Sequence, residues 1–201
     1  MPERPGGRTA RVRASVLRAA GDLLVESGFA RLDLGDLARR AEVGKTTVYR
    51  RWGSVTAVVT DMLLEMAVES VPRADTGSLL GDLRANARLV VRTLTDRRQG
   101  PLFKAMLAAA TSDVDTAEAL KRFYATRIAE WAPCVTDAAA RGEVPADTDA
   151  EEVIRAVSAP LYYRLVTGTG ELDDAVADRA AEAAVAAAKA GVFRRGEHAL
   201  D

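Results

Sequence analysis

Two short runs of helical periodicity, separated by only three residues, constrain this chain more than anything else in it. Leu34, Leu37, Ala38 and Ala41 recur at i, i+3, i+4 and i+7, so they share one face of a helix. Asp33 stands just before that run, in position to cap it by accepting hydrogen bonds from unpaired backbone donors. Glu42-Val43-Gly44 then interrupts the pattern, with Val43 spaced to plug the angle between two helices. A second helix follows, turning Val48 and Trp52 inward and leaving Lys45, Thr46, Thr47, Tyr49, Arg50 and Arg51 largely to solvent.

That outer face carries donors and positive charge with almost no acid, which is what a helix needs to sit in the major groove of DNA. Cations release counterions from phosphates, hydroxyls and a tyrosine fix the docking, and side chains near the helix N-terminus reach base edges. Lys45 and Tyr49 are therefore expected at phosphates, Thr47 at a phosphate or a base edge, and Thr46 and Arg50 at bases. The alternative is an ordinary solvated basic face on a helical hairpin. The flanking residues weigh against it.

From about Val16 to Met62 the chain resembles the DNA-binding domain of the TetR family, the tetracycline-repressor-like bacterial regulators. The matching pieces are Val16-Leu17-x-Ala19-Ala20-x-x-Leu23-Leu24, Gly28-Phe29, Leu37-Ala38-x-x-Ala41-x-Val43 and Thr47-Val48-Tyr49-x-x-Trp52. The resemblance supports Thr47 and Tyr49 best among the DNA-binding candidates. Three positions depart from the family pattern. Glu42 stands where a glycine usually ends the first motif helix, so the turn must close without the residue that most easily takes a positive φ. Gly44 replaces the usual capping serine, at a cost of a few tenths of a kcal/mol. Val55-Thr56 replaces the usual Lys-Glu and removes a phosphate contact expected there.

Charge is distributed unevenly, and that supports the same division of labour. Residues 1–60 hold 11 Lys and Arg against 6 Asp and Glu, while the remaining residues hold 17 against 23. A basic N-terminal part on an acidic remainder suits a nucleic-acid reader joined to a domain that stays off the DNA. One cysteine, Cys134, excludes an intramolecular disulfide, and a single histidine, His198, leaves no His/Cys cluster for a metal. No cofactor is expected. The Pro/Gly/Arg-rich start lacks the apolar segment of a secretory signal, and no run of about 18 apolar residues offers a membrane span. A cytoplasmic protein is the expectation.

The rest of the chain reads as helices in sequence. Met1 to Arg8 is expected to be a disordered arm, with Arg4 and Arg8 near a phosphate or minor groove or simply solvated. Thr9 to Ser27 forms a first helix on Val12, Val16, Ala20, Leu23 and Leu24. Ser54 caps a fourth, with Val55, Val59, Met62, Leu63 and Met66 on one face, ending before Pro72. Ser78 caps a fifth, burying Leu80, Leu83, Ala87, Val90, Val91 and Leu94. Pro101 opens a sixth, running to Ala110, and Thr116 to Ala140 is a long pattern that Pro133 should kink or divide. Thr148-x-x-Glu151 is a capping box for a helix to about Val166, with Val153, Ile154, Val157, Leu161 and Leu165 buried. Asp173 opens the last helix, with Val176, Ala180, Ala184, Ala187 and Gly191.

No strand alternation appears, so the expected fold is all-α with about nine helices. Residues 1–53 would be a three-helix helix-turn-helix DNA-binding domain with its arm, and residues 54–201 a helical ligand-binding and dimerisation domain. Arg141 to Gly168 also resembles a C-terminal domain common among TetR-family regulators, which implies ligand sensing and dimerisation. The Ala180, Ala184 and Ala187 face beside Ile154, Val157 and Leu161 is the expected dimer surface. Met62, Met66, Phe103, Met106, Phe123, Arg127, Trp131 and Tyr162 lie on elements that would surround one cavity in such a fold, suited to a mostly apolar molecule. Arg127, one turn before Trp131, would need a ligand anion or carbonyl unless an acid such as Glu130 served it.

An all-α enzyme is the rival class. Its candidate acids, Glu151-Glu152, Asp173-Asp174 and those from Asp113 to Glu118, all sit at helix starts, where they stabilise the macrodipole. A helical protein-interaction adaptor is a third reading, but it has no need of the basic, hydroxyl-rich face from Lys45 to Arg51. The expectation is thus a homodimeric transcription regulator, a repressor released from a palindromic double-stranded DNA operator by a small-molecule effector, with no membrane partner.

Overall fold

The computed structural model describes residues 5–68 and 73–195. Among them the chain forms nine α-helices: α1 (Pro5–Ser27), α2 (Leu34–Arg40), α3 (Lys45–Trp52), α4 (Val55–Val68), α5 (Leu79–Thr95), α6 (Gln99–Ala110), α7 (Val114–Ala140), α8 (Ala150–Thr167) and α9 (Asp174–Lys189). A 3-10 turn, Phe29–Arg31, links α1 to α2. The all-α expectation holds. Among the described residues the sole β feature is an isolated bridge between Thr148 and Arg194. None of these helices is long and apolar enough to cross a membrane.

Packing divides the chain into two compact units. In the first, α1 packs on α2 and α4, and α3 packs on α2 and α4. Residues 101–123, which cover most of α6 and the start of α7, belong to the same unit. The interior of α1 is Val16, Leu17, Ala19, Ala20 and Leu24, and α4 contributes Val58, Val59, Met62 and Leu63. In the second unit α5, α8 and α9 pack pairwise, and residues 124–140 of α7 join them. Two ion pairs tie α5 to α9: Arg84 to Glu182, and Arg88 to Asp178 through Nε at 2.8 Å and Nη2 at 2.7 Å.

Helix starts follow short polar side chains, as capping demands. Asp33, Ser54, Ser78 and Asp173 accept backbone N–H bonds where the sequence indicates. Four details differ. Helix α1 begins at Pro5, so Pro5 to Arg8 is helical and not an arm, while Met1 to Arg4 lie outside the described residues, as do Pro72 and His198. The cap of α8 is Asp149, which accepts from Glu151 and Glu152, whereas the Thr148 hydroxyl donates to the Pro145 carbonyl and makes no capping box. Helix α7 runs through Pro133 undivided. The buried stripe of α5 includes Leu79, Asp82 and Asn86 and leaves Leu80 and Val90 half-buried, so it is shifted and carries two polar groups.

The alanine face of α9 is the largest revision. Ala180 and Ala184 are buried within the single chain, as are Ile154, Val157 and Leu161 on α8, in the unit where α5, α8 and α9 pack on one another. The outward side of α8 instead exposes Ala159, Pro160, Tyr163 and Val166, and that of α9 exposes Ala183 and Ala186, with Ala190 exposed at its C-cap. Tyr163 and Val166 are 64% and 63% exposed, large values for an aromatic and a β-branched residue.

Candidate nucleic-acid interface

Helix α2 starts with the Asp33 carboxylate accepting from Gly35 at 2.6 Å and Asp36 at 3.2 Å. It ends in a Schellman closure: Glu42 N–H donates to Arg39 at 3.2 Å and Val43 N–H reaches back to Ala38 at 2.9 Å. The same pair of bonds closes α7 at Gly142 and α9 at Gly191, both glycines with positive φ. Here the left-handed residue is Glu42, with φ of 56°, the sole non-glycine of that kind among the described residues. Its Cβ therefore crowds the following carbonyl, at a cost of about 1–2 kcal/mol. Its carboxylate has no partner among the described residues, so nothing at the side chain offsets that cost.

Helix α3 follows, with Gly44 at its N-cap and no side-chain cap, as the sequence implies. Val48 is its single buried residue, and Gly53, with φ of 72°, ends it by donating to the Tyr49 carbonyl. Eight residues span about 12 Å, comparable to the width of a DNA major groove. Lys45, Thr46, Tyr49 and Arg50 are exposed and Thr47 is half-buried, so the five DNA-binding candidates share one short helix. The first turn of α3 contains no acid, which leaves the positive end of the helix dipole unneutralised beside Lys45. Among the described residues no carboxylate pairs with Lys45 or Arg50. By contrast Arg39 pairs with Asp36 and Arg40 with Glu26.

The glycine at position 35 leaves room for the capping carboxylate: a Cβ there would come within 2.8 Å of Asp33 Oδ1 and 3.2 Å of Lys45 Nζ. At the other end of α3, the Arg51 guanidinium sits 5.0 Å from the centre of the Trp52 ring. The indole N–H of Trp52 donates to Asp61 Oδ2 of α4 at 3.0 Å. Arg13 of α1 grips the same carboxylate, with Nε 3.1 Å from both oxygens and Nη2 2.8 Å from Oδ1, and its Nη1 reaches Glu65 at 2.6 Å. Partial burial opposes ionisation of Asp61, but the bonds from Arg13 and Trp52 outweigh it and hold the carboxyl below its ordinary pKa. Periodicity assigned Trp52 only an apolar role. The available signal was the i, i+4 pair Asp61 and Glu65 on an otherwise apolar helix.

The eight effector candidates fall in both units. In the first, Met62, Phe103, Met106 and Phe123 are buried and Met66 is half-buried, with the rings of Phe103 and Phe123 5.7 Å apart. In the second, Trp131 is buried and Tyr162 meets Tyr124 edge-on at 5.3 Å. Arg127 donates to Glu130 at 2.7 Å, so the requirement for a ligand anion disappears. Asn86 of α5, which periodicity did not single out, is buried, and its Oδ1 has no hydrogen-bond partner among the described residues. Burial pushes the Cys134 thiol up to about 12, which leaves it inert.

Residues 16–62 match the family described as bacterial regulatory proteins, tetR family, and residues 73–184 match a tetracyclin repressor-like C-terminal domain. An uncharacterized HTH-type transcriptional regulator of Bacillus subtilis, YdeS, is 33% identical over 161 residues, 80% of this chain and 81% of that protein. A protein of Mycobacteroides abscessus named as the DNA-binding transcriptional repressor TetR is 29% identical, covering 83% of this chain and 87% of its own. The crystal structure of the TetR family transcription regulator SCO0332 superposes with a TM-score of 0.68 at 30% identity, over 87% of this chain and 97% of that one.

The strained turn yields a direct expectation. Glu42→Gly should stabilise the protein by about 1 kcal/mol, since glycine removes the left-handed penalty at a smaller entropic cost. A urea unfolding midpoint that stays put or falls would show that Glu42 is not strained.

Proposed function

The chain belongs to the TetR family of transcriptional regulators and carries that family's DNA-binding domain, and from that premise we propose that it is a homodimeric repressor released from a palindromic operator by a small molecule. The observation that carries the reading is the outer face of α3, where Lys45, Thr46, Tyr49 and Arg50 stand exposed and, among the described residues, no carboxylate pairs with either cation. On this reading Lys45 and Tyr49 hold phosphates, Thr47 a phosphate or a base edge, and Thr46 and Arg50 read bases in the major groove. Residues 1–53 form the reader, and later residues sense and dimerise. Repression is supported by the name of the Mycobacteroides abscessus relative, and the cytoplasm is where such a protein meets its operator.

The dimer is assigned to the exposed sides of α8 and α9, because the alanine face first expected there is consumed within the protomer. Tyr163 and Val166 supply apolar area, and Ala159, Ala183, Ala186 and Ala190 allow two helix pairs to approach closely. The effector would be mostly apolar with at least one N–H or O–H, the group that the bare acceptor of Asn86 lacks. Its binding shifts the population towards a conformation that spreads the two recognition helices. A coupling of about 1–3 kcal/mol weakens operator binding by roughly 5- to 150-fold.

The DNA reading is tested on a duplex selected by the protein from a random-sequence pool. Lys45→Ala should weaken binding to all sequences and flatten the dependence of log affinity on log salt by about 1.8, about 0.9 for each of the two protomers. Tyr49→Phe should weaken it without changing that slope. Full affinity in both variants would remove α3 from the interface. For the dimer, Tyr163→Glu should give monomers by light scattering and lose the duplex, and an intact dimer would move the interface elsewhere. For the effector, compounds that release the duplex should lose potency in Asn86→Leu, and undiminished release would exclude Asn86 from the site.

A further inference from the structure

Helix α3 is held by very little. Val48 is its one buried residue, and its last residue, Trp52, is fixed by a hydrogen bond to a charged carboxylate on another helix. Such a charge-assisted bond is stronger than one between neutral groups. The carboxylate is itself immobilised: three contacts from Arg13 at 2.8 to 3.1 Å prevent Asp61 from swinging, and Arg13 is braced in turn by Glu65. Three helices, α1, α3 and α4, therefore meet at one carboxyl group. An apolar filler would suffice if Trp52 served only to cover the core, and neither the indole N–H nor the acid would be needed.

We propose that Asp61 is a positioning residue for DNA binding, its carboxylate holding the Trp52 indole so that α3 keeps the orientation in which its outer face can dock. The proposal rests on the reading of α3 as the DNA-contacting helix. Asp61 touches no DNA in it; it acts through Trp52. Any displacement of α4 is passed to the C-terminal end of α3 along this bond, and the Arg13 side fixes the zero point against α1.

The test measures binding of the full chain to the selected duplex at a temperature where circular dichroism shows each variant to be native. Trp52→Phe keeps the ring and removes only the N–H, so it remains informative should Asp61→Ala fail to fold. Each single change is expected to weaken binding roughly tenfold, and the double variant by no more than about the same tenfold, because both remove one bond. Asp61→Asn keeps one acceptor but loses the charge and the second acceptor that Arg13 and the indole share, so it should fall between the parent and Asp61→Ala. Losses that multiply to about 100-fold in the double variant, losses that track melting temperature alone, an Asp61→Asn as weak as Asp61→Ala, or unchanged affinity in Trp52→Phe would each overturn the proposal. Lys45→Ala run in parallel separates the two claims. If it weakens binding while Trp52→Phe does not, only the positioning role fails; if neither does, α3 is not the DNA-contacting helix.

Discussion

Four residues between α2 and α3 fix the angle on which the rest of this structure depends. The Ala41–Gly44 turn is closed by two backbone hydrogen bonds that need a left-handed residue at position 42, and the chain supplies a glutamate there. The geometry survives because alternatives cost more. Opening the turn would release both bonds and withdraw Val48, the one fully buried side chain of α3, from the core. The strain at Glu42 is thus a local cost offset by burial, and it leaves the outer face of α3 projecting from a rigid corner.

The same logic of few but well-made contacts governs the second unit. Its interior is rich in alanine on α9, so helices approach closely and gain little area per residue, and directional pairs such as Arg88 with Asp178 add orientation. The Arg88 hydrogen bond keeps Asp178 below its ordinary pKa, so the pair stays intact while that carboxylate is ionised. Polar groups are admitted to the core only with partners in most cases: Asp82 accepts from the Thr76 backbone and hydroxyl. Asn86 departs from that rule, its Oδ1 having no hydrogen-bond partner among the described residues.

Much of this was legible in the sequence, and the misses share a cause. Helices α2 and α3 and the α2 cap at Asp33 follow from local spacing, which a sequence carries explicitly, while the uncapped Gly44 and the strained Glu42 follow from departures from the family pattern. The long-range pairings do not. Nothing in the spacing shows that Arg13 finds Asp61 across 48 positions, or that Trp52 is a donor as well as an apolar filler. Periodicity identified the alanine face of α9 but not its partners, which proved to be α5 and α8 of the same chain. An apolar surround would leave Arg127 in need of a ligand anion or carbonyl unless Glu130 served it, and in the structure Glu130 does. Thr148 and Asp149 compete for one cap, and the aspartate, a stronger acceptor one residue closer, takes it.

The central claim is that the outer face of α3 enters a major groove, and methylation protection of guanine N7, an atom exposed only in that groove, tests it most directly. On the selected duplex, bound protein should protect guanines in two clusters related by two-fold symmetry, each in a major groove, with centres about one helical turn or a multiple of it apart. Substituting Arg50 should lift protection at particular guanines within each cluster while leaving the clusters in place. Protection confined to minor-groove adenines, or major-groove clusters indifferent to every exposed residue of α3, would contradict the account.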